Sequence, residues 1–169
     1  MGLFKEELRS IKAFVFDVDG VLAESRTVLH PSGDMMRTMN TKDGFALFQA
    51  VRKNFPVAVI SGARSTSIVE RFACLGINDV FIDSKNKEKD LTIFLSKYDL
   101  EPISVLYMGD DIPDIPAMKI VGLPTCPQDA AEEVQSISKY ISNFQGGNGC
   151  VRDVIEQVLR AQGKWYKQE

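Results

Sequence analysis

The chain has 169 residues, which is enough for one domain with a hydrophobic core of ordinary size. Hydrophobic residues make up 44% of it and charged residues 25%, a composition typical of a soluble globular protein. The formal net charge of −3 gives no indication of a nucleic-acid surface, although a small acidic substrate can still bind at a locally positive site.

Three cysteines, Cys74, Cys126 and Cys150, lie far apart and lack C-x-x-C spacing. They indicate neither a disulfide framework nor a zinc site, and they favour a reducing compartment. The N-terminal residues lack the apolar stretch of a signal peptide, and no apolar run reaches membrane-spanning length. The sequence therefore predicts a cytoplasmic protein with neither a membrane nor a nucleic acid as partner.

Short apolar runs alternate with segments of helical periodicity along the chain. The predicted strands are residues 11–16, 57–60, 79–82 and 105–108, with weaker ones at 122–125 and 140–142. The predicted helices are residues 44–55, 66–75, 88–98, 112–119, 130–134 and 151–161. The strand runs lack polar alternation and follow β-α-β-α order, so they predict an α/β fold, a Rossmann-like, three-layer, doubly wound parallel sheet. Without repeats or linkers, residues 1–169 are predicted to form a single domain.

One segment, about residues 25–40, breaks this alternation. It carries a Pro-Ser-Gly-Asp turn between two strand-like arms, a pattern that predicts a β-hairpin. The hairpin would protrude from the sheet directly after the first strand.

The ends of the predicted strands carry the polar residues of interest, because ligands of open parallel sheets bind beyond the carboxyl ends of the strands. These residues are Asp17 and Asp19 after the first strand, Ser61 and Gly62 after the second, Lys87 at the helix after the third, and Asp110, Asp111 and Asp114 after the fourth. Each motif alone is weak, since acidic pairs and Ser-Gly turns are common. Four of them in order at one sheet edge indicate a shared site.

The residue types at this edge favour phosphoryl-transfer chemistry. Clustered carboxylates without His or Cys suit Mg²⁺, which keeps waters and substrate phosphate among its ligands. The Ser61 hydroxyl, expected next to the start of a helix, could hold phosphate oxygens, and Lys87 could both bind phosphate and offset Asp114. The pattern therefore predicts a metal, a phosphate cradle and an aspartate that attacks phosphorus.

The motifs DVDGV, ISG, NK and GDDIPD, in this order, resemble those of the haloacid dehalogenase superfamily of phosphotransferases. The resemblance implies that Asp17 is the nucleophile and that Asp19 is the acid/base, whose presence favours a phosphatase over a dehalogenase. It implies that Mg²⁺ is held by Asp17, the backbone carbonyl of Asp19, and Asp110. It also implies that Asp111 and Asp114 support the metal and Lys87. Phosphate would be bound by Ser61, Gly62 and Lys87.

Members of that superfamily usually carry a cap domain after the first or second motif. Here the hairpin and one helix fill the first gap, and a helix, a strand and a loop fill the second, so neither gap has room for a cap. An aspartyl-phosphate site needs control of water and contacts that select the substrate. We therefore expect another subunit to cover the site.

Three further stretches, MRTMNTKDGFA, GDDIPDIPAMKIVGLP and GGNGCVRDVIEQVLRAQG, are similar to a capless subfamily, the 3-deoxy-D-manno-octulosonate 8-phosphate (KDO 8-phosphate) phosphatases. The similarity runs over residues 11–163. It implies an Mg²⁺-dependent phosphatase of lipopolysaccharide precursor synthesis in Gram-negative bacteria, assembled as a homotetramer around its hairpins. It implies substrate contacts by Lys42, Asp43, Gly44 and Arg64, and a C-terminal segment (146–162) whose residues Gly146, Gly147, Asn148 and Gly149 reach towards a neighbouring site.

The chain departs from many members of the subfamily at three positions: Ser61 stands where Thr is common, Ala63 precedes Arg64 where an Arg is common, and Asn148 stands where a basic residue is frequent. Two other interpretations stay open. One is a phosphatase for a nine-carbon sugar acid 9-phosphate, which the core motifs cannot separate because they contact only phosphate. The other is a non-catalytic oligomerisation module. A phosphorylated signalling receiver is disfavoured, since its acidic pair and phosphoacceptor occur in a different strand order.

Overall fold

Six parallel strands form the central sheet, and a two-stranded antiparallel hairpin lies apart from it. The computed structural model describes residues 2–33 and 35–166. The strands are β1 (Ala13–Phe16), β2 (Val28–Leu29), β3 (Met35–Met36), β4 (Val57–Ile60), β5 (Asp79–Phe81), β6 (Val105–Met108), β7 (Leu123–Cys126) and β8 (Tyr140–Ile141). The helices are α1 (Gly2–Ser10), α2 (Thr41–Arg52), α3 (Thr66–Ala73), α4 (Lys87–Lys97), α5 (Ile115–Met118), α6 (Glu132–Ile137) and α7 (Cys150–Ala161).

The strand order in the sheet is β5-β4-β1-β6-β7-β8. The chain starts at the centre with β1, moves outward through β4 and β5, and returns to the other side of β1 with β6. The topological switch point, where open α/β sheets bind ligands, therefore lies between β1 and β6. Phe16 is in register with Val59 and with Met108, so β1 and β6 end at one level and β4 extends one residue further.

Alternation along β1 divides the core into two layers, one on each face of the sheet. Phe14 and Phe16 pack into the cluster that includes buried residues of α2, α3 and α7. Ala13 and Val15 pack into the opposite cluster, which includes buried residues of α4, α5 and α6. The predicted three-layer, doubly wound parallel sheet is thereby confirmed.

Asparagine caps set the start of two helices. The side chain of Asn40 accepts a hydrogen bond from the backbone N–H of Lys42 at the start of α2. Asn86 accepts from the N–H of Lys89 at 2.9 Å, so α4 begins at Lys87. This cap places the Lys87 side chain in the first turn of α4, directly after the loop that leaves β5.

The predicted hairpin is present, with Val28 paired to Met36 and Leu29 to Met35. Its turn residue Asp34 lies outside the described residues. In the described chain, only the hairpin and α2 separate β1 from β4, and only α3 separates β4 from β5. A cap domain is therefore absent from both gaps, as the spacing predicts.

Some element boundaries differ from the prediction. Helix α1 was not predicted, and α2 begins three residues early because Asn40 caps it. The predicted helix at 112–119 is a 3-10 turn (Ile112–Asp114) followed by α5, and each piece has a proline in its first turn. Proline lacks an N–H and fits only such positions. No helix within 2–33 and 35–166 has the length and apolar character that crossing a membrane requires.

Candidate active site

Asp17 follows the last residue of β1 and is almost buried, at 7% exposure. Its Oδ1 accepts a hydrogen bond from the N–H of Val18 at 2.7 Å. Its Oδ2 lies 2.8 Å from the Nζ of Lys87. These two contacts hold the carboxylate at the switch point of the sheet.

Lys87 joins Asp17 to a second buried carboxylate. Its Nζ donates to Oδ1 of Asp114 at 2.8 Å, and the same oxygen accepts from the hydroxyl of Tyr107 at 2.8 Å. Asp114 is fully buried, and its Oδ2 accepts from the backbone N–H of Asp110 at 3.2 Å. A buried charge is costly unless it is paired and hydrogen-bonded, and both oxygens of Asp114 are satisfied in this way.

Asp110 follows β6 and completes a cluster of three carboxylates. One oxygen each from Asp17, Asp110 and Asp114 lies within 4.8 Å of the other two. The loop after β1 approaches Asp110 so closely that a Cβ on Gly20 would lie 1.9 Å from Oδ2 of Asp110. Gly20 also has a φ of +83°, a conformation that favours glycine. Both the turn and the close approach to Asp110 therefore require a glycine at this position.

The electrostatics of this cluster are dominated by burial and mutual repulsion. Burial, reinforced by the charge of Asp114, raises the pKa of Asp17 well above its usual value although Lys87 opposes the shift. The same two causes raise the pKa of Asp110 to about 7. Burial lowers the pKa of Lys87, but Asp17 and Asp114 outweigh it and the net shift is upward. Lys87 is therefore held as a cation.

The donor set fits a magnesium ion. Carboxylate oxygens are the ligands that Mg²⁺ prefers, and Lys87 compensates only one of the three negative charges of Asp17, Asp110 and Asp114. A divalent cation would balance the remaining two. Burial is the main cause of the raised pKa of Asp110, and the negative charge of Asp114 adds to it.

Asp19 lies at the same edge but makes a different contact. Its two carboxylate oxygens accept from Arg37, Oδ1 from Nε at 2.6 Å and Oδ2 from Nη2 at 3.0 Å. Arg37 follows β3 of the hairpin, and its side chain is only 5% exposed. The two aspartates of the DVDGV motif thus have separate cationic partners, Lys87 and Arg37.

Ser61 and Gly62 lie in the loop after β4 and line the same cavity. The hydroxyl of Ser61 accepts from the N–H of Ala63 at 3.1 Å, and the residue is buried. Helix α3 begins only at Thr66, so the expected helix start does not adjoin Ser61. Phosphate contacts here would come from the hydroxyl and the loop N–H groups.

The cavity at the strand ends has a volume of about 830 Å³. Its lining includes seven of the predicted residues, namely Asp17, Asp19, Ser61, Gly62, Lys87, Asp110 and Asp114. Asp111 also lines it, and its Oδ1 accepts from the N–H of Ile112, so this residue caps the 3-10 turn that carries Asp114. The structure thus brings together the residues predicted from the four strand ends.

The four predicted substrate contacts lie elsewhere in this chain. Arg64 is 77% exposed and pairs with Asp83 through Nε at 3.0 Å, beside the cavity rather than in its lining. Lys42 lines a different cavity between the start of α2 and α7. The backbone of Gly44 lies beside Arg71 on α3, since an added Cβ would be 2.8 Å from its Nη2.

Asp43 is buried between α2 and α7 and has a structural contact. Its Oδ1 accepts from the N–H of Arg152 at 2.7 Å, in the first turn of α7. Burial raises its pKa, and its Oδ2 is buried without a hydrogen-bond partner. Within one chain, Lys42, Asp43 and Gly44 do not line the strand-end cavity, so contact of these three residues with the substrate stays a prediction.

The segment from Gly146 to Gly149 packs against its own chain. A Cβ on Gly146 would lie 2.0 Å from the carbonyl oxygen of Gly20, and the N–H of Gly147 donates to Val21 at 2.8 Å. The two glycines therefore support the loop that follows Asp17. Asn148 is exposed, so a contact of this residue with a neighbouring subunit stays a prediction.

Sequence reasoning missed two residues of the site, Arg37 and Tyr107. Tyr107 lies in an otherwise aliphatic strand, and a buried tyrosine hydroxyl needs a partner, so the sequence contained a signal for it. The sequence contained no such signal for Arg37, because this residue reaches Asp19 only through the fold of the hairpin.

The raised pKa of Asp110 predicts how stability of the metal-free protein depends on pH. The folded state keeps this proton up to about pH 7, whereas the carboxyl in the unfolded chain has its usual pKa of 3.8 and loses the proton there. The free energy of unfolding should therefore fall between about pH 4 and 7, by at most about 1.4 kcal/mol per pH unit from this group. Asp110→Asn should remove this component, stabilise the metal-free protein at pH 8 by roughly 1–4 kcal/mol, and abolish stabilisation by Mg²⁺.

Urea denaturation in chelator and in Mg²⁺, across this pH range, measures both effects. Asp99→Asn is the matched control and should change neither, since Asp99 is exposed, lies outside the cavity lining, and has a positive φ that asparagine also tolerates. An Asp110→Asn variant as sensitive to pH and to Mg²⁺ as the wild type would contradict the account.

Comparison with known proteins identifies relatives along nearly the whole chain. The sequence model for haloacid dehalogenase-like hydrolases matches residues 73–154, a stretch that contains Lys87, Asp110 and Asp114. The 3-deoxy-D-manno-octulosonate 8-phosphate phosphatase KdsC of Salmonella typhi is 34% identical over 155 residues, covering 92% of this chain and 82% of the relative.

Solved structures show the same similarity. A probable YrbI family phosphatase from Pseudomonas syringae superposes with a TM-score of 0.93 at 34% identity, covering 97% of this chain and 93% of that one. The 3-deoxy-D-manno-octulosonate 8-phosphate phosphatase from Moraxella catarrhalis was solved with magnesium, phosphate and KDO. It superposes with a TM-score of 0.92 at 29% identity, covering 96% of this chain and 94% of that one. This chain belongs to the haloacid dehalogenase-like hydrolases, in the family of the 3-deoxy-D-manno-octulosonate 8-phosphate phosphatases.

Proposed function

We propose that this protein is an Mg²⁺-dependent phosphatase that works through an aspartyl-phosphate on Asp17. The observation that carries the proposal is the placement of the Asp17 carboxylate, 2.8 Å from Lys87 and beside Asp110 and Asp114, at the switch point of the sheet. A nucleophile, a fixed cation and a set of metal ligands thus face one cavity.

In the proposed first step, an oxygen of Asp17 attacks phosphorus, an O–P bond forms, and the bond from phosphorus to the sugar oxygen breaks. Asp19 gives its proton to the departing sugar oxygen. In the second step, Asp19 takes a proton from water, the water oxygen attacks phosphorus, and inorganic phosphate leaves a regenerated Asp17 carboxylate. Lys87 holds the Asp17 carboxylate in place and adds positive charge beside the phosphoryl group.

Asp17, Asp110 and the backbone carbonyl of Asp19 are the groups that would hold the metal. Bound there, Mg²⁺ would offset the charge of the phosphate and the carboxylates as the nucleophile approaches. The Ser61 hydroxyl and the N–H groups after it would donate hydrogen bonds to the remaining phosphate oxygens, since their loop lines the same cavity.

The proposed substrate is 3-deoxy-D-manno-octulosonate 8-phosphate, hydrolysed to KDO and phosphate in lipopolysaccharide precursor synthesis. Relatives at 34% identity carry this activity in their names, and the Moraxella catarrhalis relative was solved with KDO and phosphate. A cavity of about 830 Å³ can hold a sugar acid of this size beside its phosphate. A nine-carbon sugar acid 9-phosphate remains the second candidate, because the core motifs contact only the phosphate and do not select the sugar.

We also propose a homotetramer assembled through the hairpins. The hairpin exposes four large apolar side chains, Val28, Leu29, Met35 and Met36, with Leu29 78% exposed. A contiguous apolar surface of this kind indicates a protein contact. A neighbouring subunit placed there would also cover the cavity, which Met35 lines and which lacks a cap.

Asp17→Asn should lower turnover at least about 10³-fold while leaving the fold intact, because an amide cannot form the acyl phosphate. Steady-state phosphate release and circular dichroism measure the two properties. Asp79→Asn is the control, since Asp79 is a buried carboxylate at the start of β5, at the other edge of the sheet, and it should keep activity within about threefold. Near-normal turnover by Asp17→Asn would disprove the covalent mechanism.

A panel of sugar phosphates in Mg²⁺ buffer tests the substrate. We expect kcat/KM for 3-deoxy-D-manno-octulosonate 8-phosphate to exceed that for a nine-carbon sugar acid 9-phosphate and for glucose 6-phosphate by at least about tenfold, a difference of about 1.4 kcal/mol. Preference for the nine-carbon substrate would replace the first candidate by the second. Lack of Mg²⁺-dependent phosphate release from all of them would favour a non-catalytic oligomerisation module.

Leu29→Lys should convert the proposed tetramer into smaller species, because burial of a leucine at a contact contributes about 1.5–3 kcal/mol per copy and a buried lysine adds a further cost. Sedimentation velocity measures the mass. Ile103→Lys is the control, since Ile103 is 68% exposed and lies outside the hairpin. Wild-type protein that is fully active as a monomer would refute the assembly.

A further inference from the structure

Arg37 is a buried cation that the proposed chemistry does not yet use. Its side chain is 5% exposed although its residue follows the exposed hairpin strand β3. A guanidinium is buried in this way only when carboxylates or carbonyls accept hydrogen bonds from its N–H groups. Its partners include Asp19 and the carbonyl of Met35.

Arg37 and Asp19 form a bidentate salt bridge. Nε donates to Oδ1 at 2.6 Å and Nη2 donates to Oδ2 at 3.0 Å, so the planes of the two groups are fixed relative to each other. Nη1 donates to the carbonyl oxygen of Met35 at 2.9 Å, which ties the guanidinium to the hairpin backbone. The hairpin therefore determines where the Asp19 carboxylate points.

Asp19 needs this support because, within residues 2–33 and 35–166, its side-chain hydrogen bonds come from Arg37. Its side chain is 35% exposed, whereas that of Asp17 is 10% exposed and is fixed by Val18 and Lys87. Side chains that transfer protons must lie within hydrogen-bond reach of the reacting oxygen, and a shift of about 1 Å can cost about 10²-fold in rate.

We propose that Arg37 is the positioning residue for Asp19, a guanidinium clamp from the hairpin that aims the acid/base carboxylate at the leaving oxygen. The inference rests on the proposed aspartyl-phosphate mechanism. Arg37 touches neither Asp17 nor the reacting phosphoryl group in this assignment, and it acts through Asp19 alone.

This role predicts a dependence on the leaving group that a structural role would not produce. A sugar alkoxide must be protonated as it departs, so it needs a correctly placed Asp19. A 4-nitrophenolate is stable without a proton and does not need one. Loss of Arg37 should therefore slow formation of the aspartyl-phosphate from the sugar phosphate and leave its formation from 4-nitrophenyl phosphate nearly unchanged.

The experiment compares Arg37→Ala, Arg37→Lys and wild type by rapid quench, with 3-deoxy-D-manno-octulosonate 8-phosphate and with 4-nitrophenyl phosphate. We expect Arg37→Ala to lose on the order of 10²-fold in the phosphorylation rate for the sugar phosphate and less than about threefold for 4-nitrophenyl phosphate. The loss should appear in kcat more than in KM. Arg37→Lys should recover part of it, and added guanidinium chloride should recover part of it for Arg37→Ala.

Arg26→Ala is the matched control, because Arg26 is an exposed arginine of the same segment, and it should behave as wild type with both substrates. Equal losses with both substrates, or no loss, would overturn the proposal. If Arg37→Ala does not fold, Arg37→Lys carries the test, and a lysine variant with the wild-type ratio of the two rates would overturn it too. Activity retained by Asp17→Asn would instead remove the proposed mechanism, so the two failures are distinguishable.

Discussion

The contact of Lys87 with two buried carboxylates is the interaction on which the site depends. Its ammonium lies 2.8 Å from both Asp17 and Asp114, and it allows two negative charges to remain buried at the end of an apolar strand. Removing one member of such a group leaves an uncompensated buried charge, at a cost of about 3–5 kcal/mol. With Asp110 nearby, the ammonium still leaves a negative excess, which gives the site its affinity for a divalent cation.

The fold supplies this arrangement through topology and through close backbone approach. Asp17 and Asp110 follow neighbouring parallel strands, β1 and β6, which flank the switch point. The loop after Asp17 can lie against Asp110 only because Gly20 has no Cβ, and Gly146 lets the C-terminal segment support the same loop. The hairpin then contributes Arg37 to Asp19, so an arm outside the sheet reaches the chemistry.

Much of this could be predicted from the sequence, because the determinants are local. Unbroken apolar runs locate the six strands, and the carboxyl ends of parallel strands must share an edge, which collects Asp17, Ser61, Lys87 and Asp110 without any knowledge of side-chain contacts. The side-chain contacts that the sequence does not predict depend on tertiary packing. Asp43 has the same local appearance as a site residue, yet α2 rotates it onto α7. Arg37 meets Asp19 across 18 residues, and a hairpin turn alone does not fix that distance.

The account depends on a covalent bond between phosphorus and Asp17, and the most direct measurement is mass spectrometry of protein quenched in acid during turnover. The peptide that contains Asp17 should carry a phosphoryl group that appears with substrate and Mg²⁺, disappears as substrate is exhausted, and is sensitive to hydroxylamine. Turnover without phosphorylation of this peptide, or phosphorylation of a different residue, would contradict the account.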